Sequence, residues 1–304
     1  MRENRVSLSG RLMGLSTSLL LHPLLRRGNA ARATRWALEL LGMVIGQSAR
    51  GTTWRRDVRG GVAVAIVTPA RPHPGTTVIY LHGGAYVSGS VRSYRRLLSH
   101  LAAATEARVV AVDYRLAPEH PFPAALEDSI AVYTALLAER PGEQIVLAGD
   151  SAGGGLVLAT AVSLRDHGIS LPAALVCIAP WVDLTCSGES MQTRAHRERM
   201  MSPAGVAADA RRYAGAESLD APLISPLFAD LKGLPPMLIQ VGEDEILLDD
   251  AVRLAAVARA AGVAVVYEVW AGLWHVWHLY AGLMPEADAA MTSIAAFIRR
   301  RVGV

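Results

Sequence analysis

The chain reads as an α/β protein, with a mostly parallel eight-stranded sheet flanked by helices and roofed by a helical cap. Two observations predict this class. From Thr53 onward, short runs rich in β-branched residues alternate with longer stretches whose apolar residues recur at helical spacing. Within that alternation, Val109-Val110-Ala111-Val112 and Ile145-Val146-Leu147-Ala148 are apolar on both faces, as central parallel strands must be once helices cover each side. Strands are expected at residues 53–58, 62–67, 77–81, 108–113, 144–148, 174–178, 237–241 and 263–269. Helices are expected at 123–139, 156–167, 249–261 and 286–300, by length and apolar spacing. Residues 1–50, helical yet preceding the sheet, and 182–230, where polar residues, Met200, Met201 and Tyr213 interrupt the alternation, read as cap. That leaves 51–181 and 231–304 as the two parts of the core. Pro222, Pro226, Pro235 and Pro236 punctuate the return to the sheet, because proline neither continues a helix nor supplies a ladder donor.

With 304 residues, 52% hydrophobic and 19% charged, the chain can bury a large core, which excludes disorder and collagen-like structure. Cys177 and Cys186 stand at neither metal-ligand nor disulfide-framework spacing, so no metal site is expected and a reducing cytoplasm fits. A formal net charge of only +3, without RNP, zinc-finger or recognition-helix pattern, argues against nucleic acid as a partner. Positive charge gathers at the start instead. Before Glu39 the chain holds Arg2, Arg5, Arg11, Arg26, Arg27, Arg32 and Arg35 against the single acid Glu3. Residues 12–25 are apolar, but Ser16, Thr17, Ser18, His22 and Pro23 break the run, and no small-residue cleavage pattern follows. The run is also too short to span a bilayer. The expectation is an amphipathic segment packed against the body, without stable membrane insertion.

The chemistry gathers at strand ends. The strand at 144–148 runs into Gly149-Asp150-Ser151-Ala152-Gly153, a G-x-S-x-G sequence in the strand-to-helix setting that a nucleophile elbow requires. Small neighbours leave room for a serine whose backbone is strained, and the helix that follows aims its first amides at the reaction centre. The earlier strand at 77–81 passes into His82-Gly83-Gly84-Ala85-Tyr86. Successive glycines let the backbone turn its N–H groups toward one point, so Gly83, Gly84 and Ala152 are expected to form an oxyanion hole. His82 reads as a support of that loop rather than a base, and Tyr86 as packing or pocket wall.

Four blocks carry a resemblance. His82–Tyr86, then Asp113-Tyr114-Arg115-Leu116-Ala117-Pro118-Glu119, Gly149–Gly154 and Pro180-Trp181-Val182-Asp183-Leu184 occur in the order found in the bacterial hormone-sensitive-lipase-like family of α/β-hydrolase carboxylesterases, which the chain resembles over nearly its whole length. The resemblance implies an α/β-hydrolase fold, a carboxylesterase with its triad in the order Ser, acid, His, a cap built from the N-terminus and a mid-chain insertion, and no cofactor. After the strand at 237–241, Gly242-Glu243-Asp244-Glu245-Ile246-Leu247-Leu248-Asp249-Asp250 offers five acids. The family's acid position matches Asp244. Asp249 and Asp250 suit an N-cap and first turn, and Glu243 and Glu245 are expected to face solvent or the alcohol side. After the last strand, His275 falls where the family places its base, with His278 about one helical turn on. A metal-binding His-x-x-His pair is not expected, since no third ligand is evident nearby.

The expected reaction is attack of Ser151 on a short-acyl ester, with His275 taking the proton and Asp244 orienting the imidazole. The same triad would open lactones or cleave carbamates and amides, and the motifs do not separate these small-molecule acyl substrates. The strand at 263–269 reads as the last, edge strand, with little charge, so pairing with its copy into a homodimer is expected.

Overall fold

The computed structural model describes residues 6–20, Arg35, Glu39 and 47–303. Helix α1 (Leu8–Leu20) precedes the sheet, and residues 1–5, 21–34, 36–38 and 40–46 of the N-terminal cap expected over 1–50, His22 and the basic residues Arg26, Arg27 and Arg32 included, lie outside the described residues. Strands β1 (Thr53–Arg59) and β2 (Val62–Thr68) form an antiparallel hairpin. They are followed by β3 (Thr76–Leu81), β4 (Arg108–Val112), β5 (Gln144–Asp150), β6 (Ala174–Ile178), β7 (Met237–Gly242) and β8 (Val265–Trp270). The eight strands form one sheet in the order β1-β2-β4-β3-β5-β6-β7-β8, antiparallel as far as β4 and parallel from there to the β8 edge. Each expected strand is present, with bounds within two residues of those read from the sequence.

Alternation along the strands builds a core on each face of the sheet. Ile79, Leu81, Val110, Ile145 and Leu147 point to one side, where helices α3 (Ala124–Glu139), α4 (Ala152–Asp166) and α7 (Leu248–Ala260) cover them with Leu136, Val157 and Leu254. Val78, Tyr80, Val109 and Val146 point to the other, under α2 (Arg95–Thr105) and α8 (Pro285–Val302), which supply Leu97, Leu101, Ile294 and Phe297. Sequence periodicity did not include α2. The parallel pairing of β3 with β4 needs a crossover, and Arg95–Thr105 fills it despite its alanine run. Helix α4 starts at Ala152 rather than 156, because Gly153-Gly154-Gly155, poor helix formers in isolation, let the helix lie hard against the neighbouring chain. A Cβ on Gly155 would stand 2.2 Å from the Trp181 carbonyl oxygen.

Residues 182–230 leave the β/α alternation and hold α5 (Ser190–Thr193), α6 (Pro203–Ala214) and a short 3₁₀ turn, Pro226–Phe228. Ser202 caps α6 by accepting from the Gly205 amide at 3.2 Å, with Pro203 at the first helical position. Asp249 and Asp250 sit in the first turn of α7 as expected, but their carboxylates do more than favour the helix dipole. The buried Asp250 accepts the amides of Val182 and Asp183 at 2.8 and 2.9 Å, and Asp249 accepts that of Ser190 at 2.8 Å. Arg253, one turn along α7, reaches Asp183 at 2.7 Å. The segment is thus moored to the core by charge-assisted bonds.

Burial pushes the Asp250 carboxyl up to about 7, against the two amides that favour its anion. The folded protein therefore holds a proton that the unfolded chain has released between about pH 4 and pH 7. Stability falls as pH rises through that window. Asp250→Asn should flatten this part of the profile, read as the urea midpoint against pH; an unchanged slope would assign the effect elsewhere.

Candidate active site

Ser151 sits between β5 and α4 with φ 53° and ψ −123°, a backbone state that is costly for a residue with a side chain. The surroundings enforce it. The Ser151 amide donates to the Ile178 carbonyl at 2.8 Å, and the Ser151 carbonyl accepts from Gly154 and Gly155 at 2.9 and 3.1 Å. A Cβ on Gly149 would meet the Gly153 carbonyl oxygen at 2.4 Å, and one on Gly153 would meet that of Leu81 at 2.0 Å, so the turn closes only with glycine on both sides. The G-x-S-x-G reading is thereby given its geometry.

Across the β3–β5 pair, where Leu81 is in register with Gly149, the loop after β3 turns under the elbow. Gly84, Ala85 and Tyr86 all have positive φ, at 117°, 55° and 61°. The amides of Gly84, Ala85 and Ala152 find no acceptor among the described residues, as donors awaiting an oxyanion would. The expected donor Gly83 is different. Its amide is taken by Asp150 Oδ1 at 3.0 Å, so the amides of this loop without an acceptor are those of Gly84 and Ala85. Asp150 also accepts from the Tyr80 hydroxyl at 2.8 Å and, on its other oxygen, from the Tyr94 hydroxyl at 2.8 Å. Burial lifts its carboxyl to about 6 even with these three donors. His82 supports the loop: its Nδ1 lies 2.7 Å from the Gly83 carbonyl, and its ring stacks on Tyr114 with centroids 4.3 Å apart. Burial lowers its pKa and keeps it neutral. Tyr86 is buried against Tyr213, with ring centroids 3.6 Å apart, and serves as packing.

The carboxylate beside the His275 imidazole is Glu245, not the Asp244 expected there. His275 follows β8, and its Nδ1 lies 2.6 Å from Glu245 Oε2, both residues being buried. Glu245 Oε1 accepts the Gly242 amide at 2.5 Å, which locks the carboxylate. Asp244, chosen from the sequence, turns the other way and pairs with Arg197 at 3.2 Å. Adjacent residues of this turn thus face opposite sides, and backbone bonds decide which. Asp244 donates its amide to the Leu273 carbonyl at 3.0 Å, and Ile246 donates to Glu198 at 3.1 Å. Glu243 accepts the Gly272 amide at 3.1 Å. Since a carboxylate only accepts, the proton of the imidazole sits on Nδ1 and Nε2 keeps its lone pair. Burial works against the imidazolium, but Glu245, with Glu198 and Asp150 beyond it, more than offsets this, and His275 titrates above the ordinary imidazole value. His278 is fully buried, bonded through Nε2 to Gln240 at 2.8 Å, and burial pushes it down to about 3. Its Nε2 is thus taken by Gln240, while the carboxylate of Glu245 faces His275.

Three groups escaped the sequence reading. Asp150 stands inside the G-x-S-x-G motif, a pattern that by itself points only to the serine. Glu198, from the 182–230 segment, accepts the Met200 amide at 2.9 Å and the Ile246 amide, and so fixes the turn that carries Glu245. No sequence signal marks it. Ala85 was hidden by the double glycine before it. Among the described residues no group of three or more His, Cys, Asp or Glu is gathered as a metal site.

Nucleophile, oxyanion loop, acid and base leave the sheet from the ends of β5, β3, β7 and β8, all at its C-terminal edge, the edge where open α/β sheets bind ligands. Residues 78–279 match the family model described as an alpha/beta hydrolase fold. An acetyl-hydrolase of Streptomyces hygroscopicus is 48% identical over 238 residues, 78% of this chain and 79% of its own length. A crystal structure of EstE5 soaked with p-nitrophenyl butyrate superposes with a TM-score of 0.91 at 37% identity, covering 98% of this chain and 100% of that one. An esterase of the bacterial hormone-sensitive lipase family superposes with a TM-score of 0.86 at 42% identity, covering 92% of this chain and 96% of that one. The matched span, the sheet order and the motifs in their places agree, and the chain belongs to the bacterial hormone-sensitive-lipase-like family of α/β-hydrolase esterases.

Proposed function

We propose that the protein hydrolyses short-acyl carboxylic esters with Ser151 as nucleophile, His275 as base and Glu245 as the orienting acid. One observation carries the assignment: the 2.6 Å contact between His275 Nδ1 and a buried Glu245 carboxylate leaves Nε2 unprotonated for the serine. The Ser151 hydroxyl proton passes to Nε2 as Oγ bonds to the ester carbon. The carbonyl becomes an oxyanion, held by the amides of Gly84, Ala85 and Ala152 at the start of α4. Collapse returns the proton to the departing alcohol and leaves an acyl-serine, which water opens by the same relay. A relative named an acetyl-hydrolase and a neighbour soaked with a butyrate ester support the short acyl group. The 182–230 segment, moored through Asp250 and Glu198, acts as the described part of the cap over this edge of the sheet. Cys177 and Cys186 are free thiols, in keeping with work in the cytoplasm. The β8 edge, half-buried and paired on one side only, supports a homodimer formed strand to strand.

Ser151→Ala should cut kcat on p-nitrophenyl acetate by about 10³-fold or more, with an unchanged circular dichroism melt. Glu245→Gln should cost about 10³-fold, whereas Asp244→Asn, which loses only a partly exposed ion pair, should stay within about twofold. The reverse ranking would restore Asp244 as the acid.

The base must be neutral to accept a proton, so a raised His275 pKa moves the acid limb of kcat/KM above about 6.5. In Glu245→Gln the burial remains and the charge is gone, so the limb of the residual activity should shift to lower pH. Asp244→Asn should leave it in place. Light scattering should give the mass of a dimer; a monomer at micromolar protein would remove the β8 pairing.

A further inference from the structure

Helix α1 packs against the body as expected, but with its small and polar face inward. Gly10, Gly14 and Thr17 are buried beneath it: a Cβ on Gly14 would lie 3.0 Å from the Trp274 ring, and the Thr17 hydroxyl meets that of Tyr280 at 2.6 Å. Ser7 is fastened to Glu286 through both its amide, at 2.6 Å, and its hydroxyl, at 3.0 Å. The small and polar residues thus face the protein. The leucines face out, with Leu8, Leu12, Leu15 and Leu19 exposed at 75%, 55%, 54% and 66%. At 100° per residue the four fall within about 60° of arc, one continuous apolar stripe along the helix.

Positive charge flanks the stripe. Arg11 is exposed on the same side of the helix as Ser18, and Ser18 opens onto a cavity of about 450 Å³ shared with His196, Arg197, Glu198, Arg199 and Asp244. Both acids of that cavity are engaged, Glu198 by the amides of Met200 and Ile246 and Asp244 by Arg197. Arg199 lies over the Trp274 ring at 5.6 Å and reaches Ser18 at 3.4 Å, while its buried Nε has no acceptor among the described residues. Arg11 is one of seven arginines that, against one acid, give the chain before Glu39 a net +6, Arg35 among them being paired with Glu119 at 2.8 Å.

We infer that α1 docks the enzyme onto an anionic phospholipid surface, its leucine stripe lying at the headgroup boundary and Arg199, in the cavity beside Ser18, receiving a phosphate. An apolar helix face bordered by arginine has the composition of an interfacial helix, and 13 residues suffice to lie on a bilayer but not to cross it. A soluble anion would account for the arginines and leave the leucines in water. Trp274, packed under α1, is the residue before His275, so the docking helix lies beside the loop that carries the candidate base.

The test is co-sedimentation of the full chain with vesicles of phosphatidylcholine alone and with about a third phosphatidylglycerol, at low and high salt. Binding is expected to the anionic vesicles only, to weaken with salt, and to fall by about tenfold or more in Leu12→Ser/Leu15→Ser. Leu8→Ser/Leu19→Ser repeats the test at separate positions, with circular dichroism melts confirming that each variant folds. Absence of binding to anionic vesicles, binding by both variants as tight as that of the unsubstituted chain, or binding that ignores lipid charge overturns the inference. So does a dimer that the leucine substitutions split into monomers, which would make the stripe an interface between copies. The readout is binding, so a failure of the esterase assignment leaves it intact.

Discussion

Two tyrosine hydroxyls and one backbone amide converge on the carboxylate of Asp150, and through them the end of β3, the cap of α2 and the end of β5 are held at one point. An anion in so apolar a place is costly, and its neighbours offset the cost only while all three donors stay in position. The residue therefore behaves as a constraint. It takes the Gly83 amide and leaves those of Gly84 and Ala85 without an acceptor among the described residues. Room for that approach is limited to glycine, since a Cβ on Gly83 would stand 2.3 Å from Asp150 Oδ2. The oxyanion loop owes its geometry to a side chain that never needs to touch substrate.

The same economy governs the base. His275 is oriented by a carboxylate that is itself pinned by the Gly242 amide, on a turn that Glu198 holds from the 182–230 segment. Core and insertion thus meet one residue away from the acid. Changes in the insertion have a direct route to the imidazole, because moving the Ile246 amide moves Glu245. Asp250 performs the matching task where the insertion leaves β6.

On the outer surface the balance is different. Helix α1 spends its small residues on close approach to Trp274 and Tyr280 and leaves its leucines in water, an arrangement that a water-bathed surface does not favour. Hydropathy along 12–25 identifies an amphipathic segment but carries no sign for which face turns inward. Size decides that sign here: glycine at positions 10 and 14 lets the helix sit close to the body, and leucine there would not fit.

The sequence by itself determined the sheet, since strands buried on both faces must be apolar without interruption, and it marked Ser151 and His275, whose neighbours are dictated by local backbone geometry. It also carried the family through four ordered blocks. Only the tertiary structure shows that Glu245 and not Asp244 lies against the His275 imidazole, that the Gly83 amide is taken by Asp150, and which face of α1 turns inward. Each of those choices joins residues far apart in the chain, Glu245 to His275, Gly83 to Asp150, Gly14 to Trp274. A pattern of neighbours records what a backbone can do locally; which of two adjacent groups meets a distant partner is settled when packing and hydrogen bonding bring that partner within about 3 Å.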